Sequence, residues 1–165
     1  MPPFVKNILD RLKALSSKLD TTKKIILGSA VAVVVVALVI IGNEILSGRT
    51  QDANIRFLAL GLGEIGIPLR EVRVIPDIEA EIIHAVRGLR DKYDYVFTTG
   101  GIGPTHDDIT ADSVAKAFGV SIDVDPRARA MLLEYIAEKD LNEARLRMAR
   151  IPAGASLVVN EVSKA

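Results

Sequence analysis

The apolar positions of this chain change rhythm twice. At the front, Val5, Ile8, Leu9, Leu12, Leu15 and Leu19 recur at helical spacing behind Pro2 and Pro3, which suit a helix start. From Ile25 to Ile41 the pattern becomes continuous, 17 residues without a charge that end at Gly42. That length stands at the short limit of the roughly 17 to 25 residues a membrane-spanning helix needs. β-Branched residues crowd the second half of the run, and Gly42-Asn43-Glu44 turns the chain directly afterwards, so Val35–Ile41 also reads as a buried parallel strand. The two readings compete for the same residues. If the strand forms, Ile25 to Val34 alone are too short to cross a bilayer.

From Thr50 onward the rhythm is regular. Ala53–Ile65 places Ile55, Leu58, Leu62 and Ile65 on one helical face, weakened by Gly61 and Gly63. A strand follows at Glu71–Ile75, alternating through Val72 and Val74. Ile78, Ile82, Ile83, Val86 and Leu89 then make a second amphipathic helix, for which Asp77 is a natural N-cap. Tyr93–Thr98 is the third strand, and a helix from about Thr110 carries Val114, Ala117 and Phe118 to a stop at Gly119. Beyond it the pattern predicts an extended piece at Val120–Val124, helices at Pro126–Lys139 and Leu141–Arg150, and a short strand at Ser156–Val159. Strands alternating with helices predict an α/β fold with a parallel sheet covered on both faces. The expected organisation is a helical and apolar extension over residues 1–34, a candidate membrane anchor, followed by one domain over 35–165.

Charge refines the picture of the front segment. Residues 1–24 hold Lys6, Arg11, Lys13, Lys18, Lys23 and Lys24 against Asp10 and Asp20, giving that segment +4 and the remainder −4. The basic amphipathic helix reads equally as a membrane-surface or partner helix and as a solvated helix packed on its own domain. With its basic flank ahead of the apolar run, a spanning helix would export residues 43–165 away from cytoplasmic nucleotides and cofactors. A cytoplasmic protein is therefore the expectation, with an inner-membrane anchor as the alternative, and no A-x-A cleavage site follows the run. The net charge of zero and 4% aromatic content, with no Trp, argue against a nucleic-acid partner, and the absence of Cys removes disulfides and thiolate metal sites.

The chemistry concentrates where the third strand ends, in Thr98-Thr99-Gly100-Gly101-Ile102-Gly103-Pro104-Thr105-His106-Asp107-Asp108-Ile109-Thr110. Glycines at the carboxyl end of a strand permit positive φ and close approach by a polar ligand, while a following helix start favours an anion. The carboxylates suit a hard cation such as Mg²⁺ held against a phosphate. No Gly-Lys-Ser/Thr follows, so this is not a P-loop, and the glycine order is not that of a dinucleotide fingerprint. In a parallel sheet, Gly42 to Gly48 and Pro76-Asp77 reach the same end, adding Glu44, Ser47, Asp52, Asn54 and Asp77 to Asp107 and Asp108. Asp77, Asp107 and Thr110 read individually as helix caps and Glu44 as a surface acid; the functional reading rests on convergence. His84 reads as a surface or packing residue and His106 as a solvated loop residue.

Gly42-Asn43-Glu44-Ile45-Leu46-Ser47-Gly48 with Asp52 and Asn54, then Pro76-Asp77, then Thr99 to Thr110 resemble, in order, the molybdopterin-binding domain shared by MoaB and Mog proteins. The variant they resemble most is the amino-terminal domain of competence/damage-inducible protein CinA. The resemblance spans roughly Ala37 to Ala165 and implies a three-layer α/β sandwich, with a mostly parallel sheet, that is often trimeric. It implies a phosphorylated pterin, molybdopterin, bound with Mg²⁺ at the Thr99–Asp108 loop. Asp108 then matches the essential loop aspartate linked to metal and phosphate, and Asp77 the acid after the second strand, both in catalytic positions. Glu44 and Ser47 match first-loop binding positions; Asp52, Asn54, Thr99, Gly100, Gly101, Gly103, Thr105, Asp107 and Thr110 complete the expected ligand-binding set. Mog-type relatives adenylylate molybdopterin, whereas CinA-type domains are associated with cleaving the pyrophosphate of ADP-ribose-like nucleotides. A non-enzymatic binding module and a membrane-tethered protein are the remaining alternatives. The family domain usually continues past the position of Ala165 through a further strand and a Gly-Val-Pro-like loop, so the domain is expected to be truncated at its C-terminus.

Overall fold

The structure, a computed structural model, describes residues 34–158. The basic amphipathic helix, residues 25–33 of the apolar run and Val159 of the expected last strand lie outside those residues. Val36–Ile41 forms β1, with no residue more than 2% exposed. The second half of the apolar run is therefore a strand, and among the described residues no helix is long and apolar enough to cross a membrane.

The reason β1 can be apolar at every position is its place in the sheet. It lies between β2 (Leu69–Ile75) and β3 (Tyr95–Thr99), parallel to both, so neither of its edges meets water. Both of its faces are covered as well. Ala37, Val39 and Ile41 pack with Ile82, Ala85, Val86 and Leu89 of α3 (Glu79–Arg90) and with Ala117 of α4 (Thr110–Phe118). Val36, on the other face, packs with Leu62 of α2 (Asn54–Gly63) and with Ile67. These are the three expected layers, with a one-turn α1 (Asn43–Leu46) inserted directly after β1. In β2, the outer strand on that side of the described sheet, Val74 stays 37% exposed.

Two expectations about local structure are corrected. Asp77 does not cap α3: the N-cap position is Ile78, and no side chain satisfies it. The Asp77 carboxylate turns instead toward the exit of β1, as described below. The second correction concerns the C-terminal third. The helix expected over Pro126–Lys139 stops as α5 (Pro126–Leu133), because the chain must leave the helix axis for Ile136 and Leu141 to join Ala128 and Leu132 in a small separate cluster. A single 3₁₀ turn, Glu138–Asp140, follows, then α6 (Glu143–Arg147), whose start Asn142 caps by accepting from Arg145 N at 3.0 Å. The chain straightens next into β5 (Arg150–Pro152), which runs antiparallel to β4 (Ile122–Val124). Of the strand expected at Ser156–Val159, the described residues Ser156–Val158 are not in a strand. The result is a small C-terminal lobe of α5, α6, β4 and β5 set against α4.

Candidate functional site

Parallel pairing brings Ile41, Ile75 and Thr99, the last residues of the three strands, to one edge of the sheet. Gly42 N–H donates to Ile75 O at 3.1 Å, closing the first turn against the second. Asn43 N–H then donates to Asp77 Oδ2 at 2.8 Å, so the acid after β2 holds the backbone that leaves β1. Its other oxygen faces the glycine loop: a Cβ on Gly101 would stand 3.6 Å from Asp77 Oδ1.

The glycine loop folds back over β1. Gly100 has φ +93, and a Cβ there would lie 1.9 Å from Ile41 O, a distance no side chain can occupy. At Gly101 and Gly103 the added Cβ would meet Thr110 Oγ1 at 2.5 Å and Asp108 Oδ2 at 2.8 Å. The room at these glycines, assigned from sequence to an approaching ligand, is taken by the protein's own atoms. Thr110 is 2% exposed and acts as a latch, with its amide donating to Gly101 O at 3.1 Å and its hydroxyl to Gly100 O at 2.8 Å.

Asp108 is fixed from within its own loop. Its Oδ2 accepts from Thr105 N at 2.9 Å, and the Thr105 hydroxyl lies between the Asp107 and Asp108 carboxylates. Burial pushes the Asp108 carboxyl up, but the Thr105 hydroxyl, the amides of Gly103 and Thr105 and the charge of Arg147 together hold it below its ordinary value. The Thr105 hydroxyl, its own backbone amide and the charge of His106 likewise hold Asp107 down. Both carboxylates are accordingly ionised at neutral pH.

Residues far along the chain complete the neighbourhood. A cavity of about 160 Å³ lies between the glycine loop and the C-terminal lobe, lined by Gly101, Gly103, Asp108, Asp112, Arg147 and Arg150 among others. Arg150 meets Asp112 through two hydrogen bonds of 2.8 and 2.7 Å. Arg147 Nη2 donates to Asp108 O at 3.3 Å, while its Nε is buried without a partner. Thr99 Oγ1, at the end of β3, is a second buried polar atom without one. Neither arginine nor Asp112 was singled out from sequence. Asp112 had a local signal, an acid in the first turn of α4, but the arginines come from a lobe whose position depends on long-range packing.

The remaining expected residues divide. The Glu44 carboxylate curls over Gly42, where an added Cβ would come within 2.5 Å of it. Ser47 is exposed, its hydroxyl donating to Glu44 O at 3.2 Å and accepting from Arg49 Nε at 3.1 Å. Asp52 Oδ1 accepts from Ile55 N at 2.8 Å at the head of α2, and its Oδ2 is buried without a partner. Asn54 is exposed on the first turn of that helix. Glu44, Ser47 and Asp52 thus make local contacts within residues 42–55, whereas Asp77, Thr105, Asp107, Asp108 and Thr110 gather at the glycine loop. His84 and His106 are both exposed. Among the described residues no three His, Cys, Asp or Glu side chains form a group able to hold a metal by themselves.

Residues 37–155 match the family described as the probable molybdopterin binding domain. The chain belongs to that family. It is 35% identical to the crystal structure of the protein CinA, of unknown function, from Thermoplasma acidophilum, with a TM-score of 0.75 over 81% of this chain and 79% of that one. The tungsten cofactor synthesizing protein MoaB from Pyrococcus furiosus shares the fold, at 22% identity and a TM-score of 0.50 over 68% of this chain and 70% of that one. A curated protein of Pyrobaculum calidifontis is 38% identical over 130 residues, 78% of this chain and 50% of its own length. The chain spans about half the length of the curated relatives it matches. This domain of the probable molybdopterin-binding family thus stands near CinA in sequence and shares its fold with MoaB.

Proposed function

We propose that this domain binds the phosphorylated end of molybdopterin, together with Mg²⁺, at the loop from Thr99 to Asp108. The observation that carries the reading is the pair of carboxylates flanking that loop, Asp77 beside Gly101 and Asp108 beside Gly103. Mg²⁺ is usually held by one or two protein carboxylates, with waters and substrate phosphate oxygens filling its other positions. Asp77 and Asp108 would supply two such carboxylates. The buried, unpartnered Thr99 hydroxyl fits a polar group arriving at the end of β3. Bound there, the metal would neutralise phosphate charge; Asp108 and Asp77 would hold it, and the Gly101–Gly103 backbone would orient the phosphate. Glu44 and Ser47 remain proposed contacts for the rest of the ligand. The division into an appendage over 1–34 and a domain from residue 35 belongs to the same proposal, supported by a family match that begins at residue 37.

A second reading, hydrolysis of the pyrophosphate in ADP-ribose-like nucleotides, is what the resemblance to CinA-type domains implies. Titration calorimetry with molybdopterin, ATP and ADP-ribose, each with Mg²⁺, separates the two. Asp108→Ala is expected to weaken the bound ligand at least about tenfold, the loss of one charge-assisted contact of some 1.5–3 kcal/mol. Unchanged affinity in that variant would remove Asp108 from the site.

A further inference from the structure

We infer that Arg147, carried on α6 of the C-terminal lobe, is the cationic arm of this site and grips the ligand's phosphate or pyrophosphate end. The inference rests on the glycine loop being the ligand site and names the group opposite it. An arginine brings five N–H donors. Among the described residues the Arg147 side chain makes one hydrogen bond, from Nη2 to Asp108 O at 3.3 Å. The guanidinium nevertheless lines the cavity opposite the glycine loop, and such a planar group takes an oxyanion with two parallel bonds.

The neighbours favour Arg147 over Arg150 for this task. Arg150 is neutralised by its paired bonds to Asp112, whereas Arg147 has no ion pair with a side chain among the described residues. The cavity between them and the loop holds about 160 Å³. Pockets for whole small-molecule ligands run to roughly 300–1,000 Å³, so this one fits a phosphate-sized end with the remainder of the ligand outside. Its walls also include Ala111 and Asp112, in the first turn of the nine-residue helix α4, whose positive dipole end favours an anion.

The test is titration calorimetry of inorganic pyrophosphate in EDTA, where no metal can bridge anion and carboxylate. The wild-type protein is expected to bind, Arg147→Met to bind at least tenfold more weakly and Arg147→Lys to fall between, with thermal melting of both variants within two degrees of wild type. Wild-type protein that binds no pyrophosphate, or an Arg147→Met affinity within twofold of wild type, overturns the inference. Arginine-dependent pyrophosphate binding without any molybdopterin binding leaves it standing and sinks the pterin reading instead.

Discussion

All six residues of β1 are at most 2% exposed, whereas the C-terminal lobe buries Ala128, Leu132 and Ala149 at 8, 5 and 0% and fills the rest of its cluster with half-exposed side chains. The two regions face each other across the glycine loop, and they are held by different forces. β1 is fixed by two parallel ladders and two helical layers, so the backbone positions of Ile41 and Gly42 are set by the core of the domain. The lobe meets α4 through β5 and through Arg150–Asp112, and the glycine loop through Arg147–Asp108 O. Regions with few buried apolar contacts open locally at lower free energy than the core. The site therefore has one rigid wall that carries Asp77 and the glycine loop, and one more adaptable wall that carries Arg147.

The sharpest way to break that comparison is to cut the same side chain from each region. Leu38→Ala, at 0% exposure, is expected to cost about 4–5 kcal/mol, the upper part of the range for buried leucine truncations. Leu132→Ala in the lobe is expected to cost about 2 kcal/mol, since a site bordered by half-exposed neighbours collapses more readily around the lost methyl groups. Urea unfolding followed by circular dichroism measures both. Equal losses would mean that the lobe and the sheet share one core.

Gly100→Ala comes next in size. A Cβ at that residue would lie 1.9 Å from Ile41 O, and its φ of +93 is strained for any L side chain. The loop must move off β1 to accept the alanine, and the expected loss is about 1–3 kcal/mol together with ligand affinity. A variant as stable as wild type and still able to bind would show that the loop is not pinned to the rigid wall.

How far the sequence was legible follows the same division. Of the two competing readings of the apolar run, the structure bears out the strand over its second half, because a strand buried on both faces needs no alternation, only β-branched bulk and a turn at Gly42. The start of α4 at Thr110 and its stop at Gly119 were equally local, a glycine at φ +68 ending the helix as its position suggested. Asp77 was misread because an acid just before a helix carries one signal for two uses: a cap for the next residues or a hydrogen bond to a distant amide. Its partner, Asn43 N, is 34 residues away. The lobe was the least legible region. Whether Ile136 continues a helix or bends into a cluster with Leu141 is decided by packing, and the same packing brings Arg147 to Asp108, 39 residues earlier.

The smallest expected effect tests whether the lobe has a hold of its own. Asp125 starts α5 by accepting from Arg127 N at 2.8 Å and pairs with the Arg127 side chain. The Arg127 hydrogen bond is the main cause, above the opposing push of burial, that lowers its pKa from the ordinary 3.8 to about 2. A carboxyl with a depressed folded-state value stabilises the protein fully above its unfolded value, and loses that contribution as pH falls through the folded one. Stability from Asp125 is therefore complete above about pH 4 and fades toward pH 2. Asp125→Asn keeps an acceptor for the Arg127 amide but removes the charge, so it should be less stable than wild type at pH 7 and converge with it near pH 2. Thermal melts across that range measure the gap. A gap that persists undiminished at the acid end would mean that packing around Ala128, and not the ionised carboxylate, secures the lobe's first helix.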